Sequence, residues 1–404
     1  MNIPTGFSNL GIDPKILDIL TKLGFITPTP IQAKAIPVLV TGQDIIGIAQ
    51  TGTGKTLAFG VPLIQSARPG TQKLIVLPTR ELALQVQEVL VKIAKPLGIH
   101  STVIIGGESM QKQIQEIRRQ PQIIIGTPGR IVDHLQQRTL RLDRVTAVVL
   151  DEADRMLDMG FAPQLRKIMD VLPAKRQTML FSATMPEDIV RIARTYMQLP
   201  IRVEIAQPGT PAEHITQEVF FVDKPNKALL LEKMLVQYPG SVLLFSRTKH
   251  GARKIAAMIR RWGHASAEIH ANRTLAQRKE ALQGFKTGKY RILVATDIAA
   301  RGIDVKDISL VLNYDLPDNP SDYVHRIGRT GRAGESGHAI TFATPEQRRD
   351  VEGIEKLIRA VLPRKAHPDL PPIVMPAAPV AGASRSAGRR PPRRWNGGRR
   401  PGRR

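Results

Sequence analysis

The chain has 404 residues, no cysteine, and 59 Lys and Arg against 35 Asp and Glu, a formal net charge of +24. That length exceeds what one hydrophobic core organises, so two domains plus tails are expected. The missing thiols exclude disulfides, Fe–S clusters and Cys-based zinc sites. The charge points to a polyanion, and nucleic acid is favoured over a membrane because no apolar run approaches the roughly 20 residues that span a bilayer.

The start, Met1-Asn2-Ile3-Pro4-Thr5-Gly6-Phe7, has neither a basic region nor an apolar core, so no secretory signal is expected. Next comes Gly24-Phe25-x-x-Pro28-Thr29-Pro30-Ile31-Gln32. A carboxamide accepts from and donates to an adenine edge at once, which makes Gln32 a base-reading candidate, and Phe7 is suited either to covering the base or to the core.

Short β-rich runs are predicted at 44–49, 73–78, 102–105, 122–125, 146–151 and 178–182, with an amphipathic helix over 80–93. The first run leads into Ala49-Gln50-Thr51-Gly52-Thr53-Gly54-Lys55-Thr56. Glycines there let backbone N–H groups curl around phosphates, Lys55 reaches the β- and γ-phosphates, and Thr56 offers its hydroxyl to Mg²⁺. The strict pattern wants glycine where this chain has Ala49. About a hundred residues on, the run 146–151 ends in Asp151-Glu152-Ala153-Asp154. Asp151 can meet the metal at the sheet edge, and Glu152 can orient or deprotonate an attacking water. Asp154 is read as a polar bridge to other segments. A helix cap would explain one of these acids, not three after a strand beside a phosphate loop. Together the two segments specify a nucleoside triphosphate hydrolase.

Two prolines and a glycine at Pro208-Gly209-Thr210-Pro211 interrupt helix and strand alike, so a linker is expected at 207–214. The divisions are then a first domain over 1–206, a second over 215–363 and a tail over 364–404. In the second domain, strands are predicted at 241–246, 265–269, 290–296, 308–314 and 338–343, and helices over 249–261 and 276–286. Strand–helix alternation of this kind implies parallel sheets covered on both faces. No short-period repeat is visible, so any likeness between the halves is one of architecture. The tail carries +10 of the +24, with nine arginines from Arg385 onward and Trp395 among them, and is too poor in large apolar groups to pack. It is expected to be disordered, and either binds nucleic acid by charge and stacking or merely solubilises.

His325-Arg326-Ile327-Gly328-Arg329-Thr330-Gly331-Arg332 lies in the predicted second domain. Arg329 and Arg332, three apart, share a helix face and would reach a γ-phosphate only if the domains close. Thr79, Arg80, Gly107, Thr127 and Arg130 follow predicted strands of the first domain, and Arg247, Arg278 and Thr296 are their counterparts in the second. Such groups suit phosphate and sugar contacts that position a strand without reading its sequence.

With Pro78-Thr79-Arg80-Glu81-Leu82-Ala83, Gly106-Gly107, Thr127-Pro128-Gly129-Arg130, Ser182-Ala183-Thr184 and the run Ala295 to Asp304 added, the chain over roughly residues 7–345 resembles the DEAD-box RNA helicases of superfamily 2, most like the short bacterial RhlE type. The resemblance implies two tandem RecA-like domains and RNA-stimulated ATP hydrolysis with Mg²⁺, opening RNA duplexes locally. It implies an adenine site at Phe7, Phe25 and Gln32, and a phosphate site at Thr51, Gly52, Thr53, Gly54, Lys55 and Thr56. Asp304 becomes the ribose contact, and Arg329 and Arg332 the arginine fingers. Asp154, Ser182, Thr184 and His325 become the coupling segment between the ATP and RNA sites.

RNA preference belongs to the same implication; a cytoplasmic location is expected, consistent with the missing cysteines, and ribosome assembly, mRNA decay and cold adaptation fit equally as settings, with ribosomal or decay-machinery partners. A DNA helicase and an ATP-gated RNA clamp are the competing readings. One motif departs from the family pattern: His270-Ala271-Asn272-Arg273-Thr274-Leu275-Ala276-Gln277-Arg278 has Leu275 where glutamine is usual. That puts one polar contact, RNA binding or domain closure in doubt. Gln277 stands two positions away, on a different helix face, and its ability to substitute is left open.

Overall fold

The computed structural model describes residues 6–49, 52–205, 215–300, 308–331 and 336–370. Lobe 1 holds strands β1 (Ile45–Ile48), β2 (Gln72–Val76), β3 (Ser101–Ile104), β4 (Ile123–Gly126), β5 (Val145–Leu150), β6 (Gln177–Ser182) and β7 (Ile201–Glu204). Lobe 2 holds β8 (Ile215–Phe221), β9 (Val242–Phe245), β10 (Ser266–Ile269), β11 (Ile292–Ala295), β12 (Leu310–Asn313), β13 (Gly337–Ala343) and β14 (Arg364–Lys365). The strand orders are β3-β4-β2-β5-β6-β1-β7 and β10-β11-β9-β12-β13-β8-β14. Position for position these are the same order, so the halves share one architecture without a sequence repeat.

Every ladder is parallel. The strands read as continuous apolar runs because alternate residues feed cores on opposite sheet faces. Ile123, Ile125, Ala147 and Val149 enter one core of lobe 1, while Ile124, Val148 and Leu150 enter the other. In lobe 2, Val242 and Leu244 point to one side and Leu243 and Phe245 to the other. Burial on both faces is what parallel sheets require.

The helices observed at Arg80–Ala94, Lys249–Arg261 and Leu275–Lys286 lie within a residue or so of their predicted limits. The strands β7, β8 and β14 were not anticipated. The last of these corrects the expected start of the tail. Arg364 and Lys365 pair with Val219 and Phe220, Lys233 reaches Asp369 at 2.9 Å, and Leu370 packs on the lobe 2 core. Residues 364–370 therefore belong to lobe 2, where β14 is the counterpart of β7.

Parallel strands bring all their C-terminal ends to one edge. The phosphate loop follows β1, Thr79 follows β2, Gly106 follows β3, Thr127 follows β4, Asp151 follows β5, and Ser182 ends β6. Topology alone thus gathers segments 130 residues apart in sequence onto one rim.

Candidate active site and nucleic-acid interface

Gly54 caps the helix Lys55–Gln65 at φ 91°, a left-handed conformation that glycine adopts freely. A Cβ there would stand 2.4 Å from Gln32 Nε2. That contact reveals what Gln32 does: its Nε2 donates to Gly54 O at 3.0 Å, and its Oε1 accepts from Thr29 N at 2.9 Å. Gln32 is buried and locks the loop to the start of its own helix, with one N–H and one lone pair left over. The donor and acceptor left over are the pair that the expected contact with an adenine edge would use. Phe7 is corrected, since it lies in the lobe 1 core, whereas Phe25 is 37% exposed and is the ring left facing outward.

Lys55 is the first residue of its helix and is buried. Its Nζ lies 3.6 Å from Asp151 Oδ1 and has no hydrogen-bond partner among the described residues. A buried ammonium left in that state is costly until an anion completes it. Burial raises the Asp151 carboxyl above the usual carboxylate range, and the Lys55 charge draws it partly back. Glu152 sits at φ 52°, an uncommon backbone for a non-glycine residue and a form of strain that concentrates at functional sites. Gly52, Thr53 and Thr56 complete the described part of the loop. Thr51, Asp304 and Arg332 lie outside the described residues.

Arg155 escaped the sequence reading. It is the largest of the fully buried side chains, and its Nη1 donates to Glu152 Oε2 at 3.1 Å. The signal was available, because an acid and an arginine three apart at the head of a helix face each other. Asp154 forms the bridge read from the sequence. Its Oδ2 accepts from Ala183 N at 3.2 Å, Thr184 N at 2.9 Å and Thr184 Oγ1 at 2.8 Å, while its own N–H donates to Ser182 Oγ at 3.3 Å. These bonds tie the acidic box to Ser182–Thr184.

Lobe 2 faces this rim. A narrow cavity is lined by Arg155 of lobe 1 and by Phe245, Asp297, Asp322, His325, Arg326 and Arg329 of lobe 2. Arg326 anchors it: Asp297 accepts at 2.6 and 2.7 Å, Asn313 Oδ1 at 3.1 Å and Asp315 O at 2.6 Å, with the Phe245 ring 5.0 Å away. Arg329, two residues past the end of the helix Pro320–Ile327, is buried and donates through Nε to His325 O at 3.3 Å. An arginine of the second lobe thus shares a cavity with the arginine that grips Glu152.

Of the predicted nucleic-acid contacts, Arg80 lies across the turn Gly106-Gly107. Gly107 has φ 80°, and a Cβ on it would come within 2.2 Å of Arg80 Nη1. Thr79 caps the helix Arg80–Ala94 through Leu82 N, and Thr127 precedes the helix Pro128–Gln136. Arg130 builds the neighbouring turn, donating to Ile105 O at 3.1 Å and Glu108 O at 2.9 Å. In lobe 2, Arg247 is exposed, pairs with Asp318 at 3.2 Å and donates to Leu316 O, and Thr296 is half-buried after β11. Arg278 turns to lobe 1. It is buried against Glu81 of lobe 1 at 2.7 Å, an inter-lobe ion pair in place of the expected exposed guanidinium. Gln277 does not replace the missing glutamine, because its side chain closes a capping box with Thr274.

A family model described as DEAD/DEAH box helicase matches residues 29–192, and one described as Helicase conserved C-terminal domain matches residues 226–334. The DEAD-box ATP-dependent RNA helicase CshA of Geobacillus kaustophilus is 43% identical over 370 residues, covering 91% of this chain and 79% of that protein. The S. cerevisiae Dbp5 structure bound to RNA and ADP BeF3 superposes with a TM-score of 0.82 at 29% identity, covering 89% of this chain and 95% of its own. A DEAD box protein from Methanococcus jannaschii is 36% identical yet scores 0.53 over 89% of this chain and 99% of its own. By motif, fold and relatedness, this chain belongs to the DEAD-box helicase family.

Proposed function

We propose that this chain is an ATP-dependent RNA helicase that couples RNA-stimulated ATP hydrolysis to local opening of RNA duplexes. The observation that carries the reading is that Arg155, which grips Glu152 beside the buried Lys55–Asp151 pair of lobe 1, shares a cavity with Arg329 of lobe 2. In this reading, backbone N–H groups of the loop and Lys55 hold the triphosphate, and the helix dipole behind them adds to the attraction. Glu152, gripped by Arg155, orients the attacking water. Arg329, with Arg332, stabilises charge on the transferring phosphoryl group, an effect of about 10³–10⁵ in rate in related hydrolases. RNA lies along Thr79, Arg80, Gly107, Thr127 and Arg130 and continues past Arg247 and Thr296. Asp154 passes the state of the ATP site to Ser182 and Thr184, and His325 belongs to the same relay.

Mg²⁺ fits the residues present. Asp151 carries a buried carboxyl that an added cation would stabilise, Thr56 carries a hydroxyl, and Mg²⁺ normally takes one or two carboxylates with phosphates and waters rather than a dedicated cage. When bound, it neutralises charge on the β- and γ-phosphates. The proposed divisions are lobe 1 to residue 206, a linker over 207–214, lobe 2 from residue 215 and a basic tail. The cytoplasm, where RNA and ATP meet, is the proposed location, and ribosomal and decay complexes are equally apt targets. The RhlE-type placement draws no support from the relative in Geobacillus kaustophilus, which carries the name CshA.

Glu152→Gln is the direct test. The variant should bind ATP and RNA yet hydrolyse little, and wild-type turnover would remove Glu152 from its role. Matched RNA and DNA oligonucleotides compared as ATPase stimulants separate the RNA and DNA readings.

A further inference from the structure

We propose that Leu275 is an apolar latch of the closed state, holding lobe 2 on lobe 1 before RNA has bound. It is the first residue of the helix Leu275–Lys286, and its side chain is buried. The core cluster it joins is not that of its own lobe: the other buried members run from Phe7 to Val203, all in lobe 1. Arg278 and Lys279 lie three and four residues further on, the spacing that puts side chains on one helix face. Both reach lobe 1 as well, Arg278 to Glu81 at 2.7 Å and Lys279 to Glu108 at 3.8 Å. One face of this helix therefore docks on lobe 1, with Leu275 at its head.

The chemistry of the contact differs from that of an amide at the same position. A buried amide needs partners on the opposing lobe, and Gln277, which might have supplied one, is committed to the helix cap. A leucine gains from exclusion of water alone, without charge pairing and without screening by salt. Its contribution is made whenever the lobes meet, whether or not RNA bridges them. The latch thus biases the chain toward closure with nucleotide only and lowers the RNA concentration needed for stimulation.

This inference rests on the proposed function, in which closure assembles the ATP site, and the test separates the two. The chain has no cysteine, so Lys92→Cys and Lys286→Cys, both on exposed positions, accept a fluorophore pair reporting the distance between lobes. Closure is followed with Mg²⁺ and ADP–beryllium fluoride, with and without a uridine oligonucleotide. Leu275→Ala and Leu275→Gln should each lower the closed-to-open ratio about tenfold, the scale set by two or so buried methylenes. Leu275→Met, similar in volume, should stay within about twofold of the parent. RNA needed for half-maximal ATPase should rise by the same factor in the first two variants, with kcat at saturating RNA unchanged. Inter-lobe distributions of the Ala and Gln variants identical to the parent would overturn the latch while leaving the helicase reading intact. A parent that never closes with nucleotide and RNA would remove the helicase reading and the latch with it.

Discussion

Asp154 offers the sharpest test of how the ATP site is wired into lobe 1. Asp154→Ala deprives two backbone N–H groups and one hydroxyl of the oxygen they share, at 3.2, 2.9 and 2.8 Å. Hydrogen bonds to an ionised acceptor contribute about 1.5–3 kcal/mol each. Ala183 and Thr184 are only half-buried, so water recovers part of the loss. Counting about half of the gross value leaves a net cost of roughly 3 kcal/mol. For a lobe of this size, that shifts melting by about 6–12 °C.

Scanning calorimetry of the full chain, with the lobe 1 transition identified by its response to nucleotide, measures the shift. The same variant should retain basal ATPase while losing most of its stimulation by RNA, because Ser182–Thr184 no longer follows the acidic box. Thr184→Ala, which removes one of the three bonds, should cost about 1 kcal/mol. A Tm for Asp154→Ala within about 1 °C of the parent, with stimulation intact, would refute the argument.

Other outcomes follow from the same geometry. Glu81→Gln or Arg278→Met alone leaves one buried partner of the inter-lobe pair uncompensated and should weaken closure about 100-fold, whereas the double variant should recover most of the loss in an inter-lobe distance assay. Gly107→Ala places a Cβ against the Arg80 guanidinium at a left-handed φ, and should raise the RNA concentration for half-maximal ATPase about tenfold with RNA-free turnover unchanged. Lys55→Ala should reduce ATPase at least 100-fold, the scale of losing a preorganised charge contact to the transition state.

What could be read from the residues and what could not divides along a physical line. The phosphate loop, the acidic box and the strand–helix alternation are local: a few consecutive side chains and backbone angles carry the chemistry, and apolar runs reveal strands buried on both faces. Three strands stayed hidden for equally local reasons. β7 is four residues beside a proline, β14 is two residues of cation, and β8 emerges directly from the linker.

Partner choice was the other blind spot, because one functional group suits several partners. The guanidinium of Arg278 would serve a phosphate as well as it serves Glu81, and the amide of Gln32 would serve adenine as well as it serves Gly54 O. Phe7 suits a core and a base stack alike. The chain's own order of residues determined two parallel-sheet lobes, a nucleotide loop and the acids that act on its contents. Only the tertiary structure decided that Arg278 turns inward to Glu81 and that Leu275 belongs to the opposite lobe's core. Those outcomes depend on distances between segments a hundred or more residues apart, and such distances exist only once parallel strands have brought their ends to one rim.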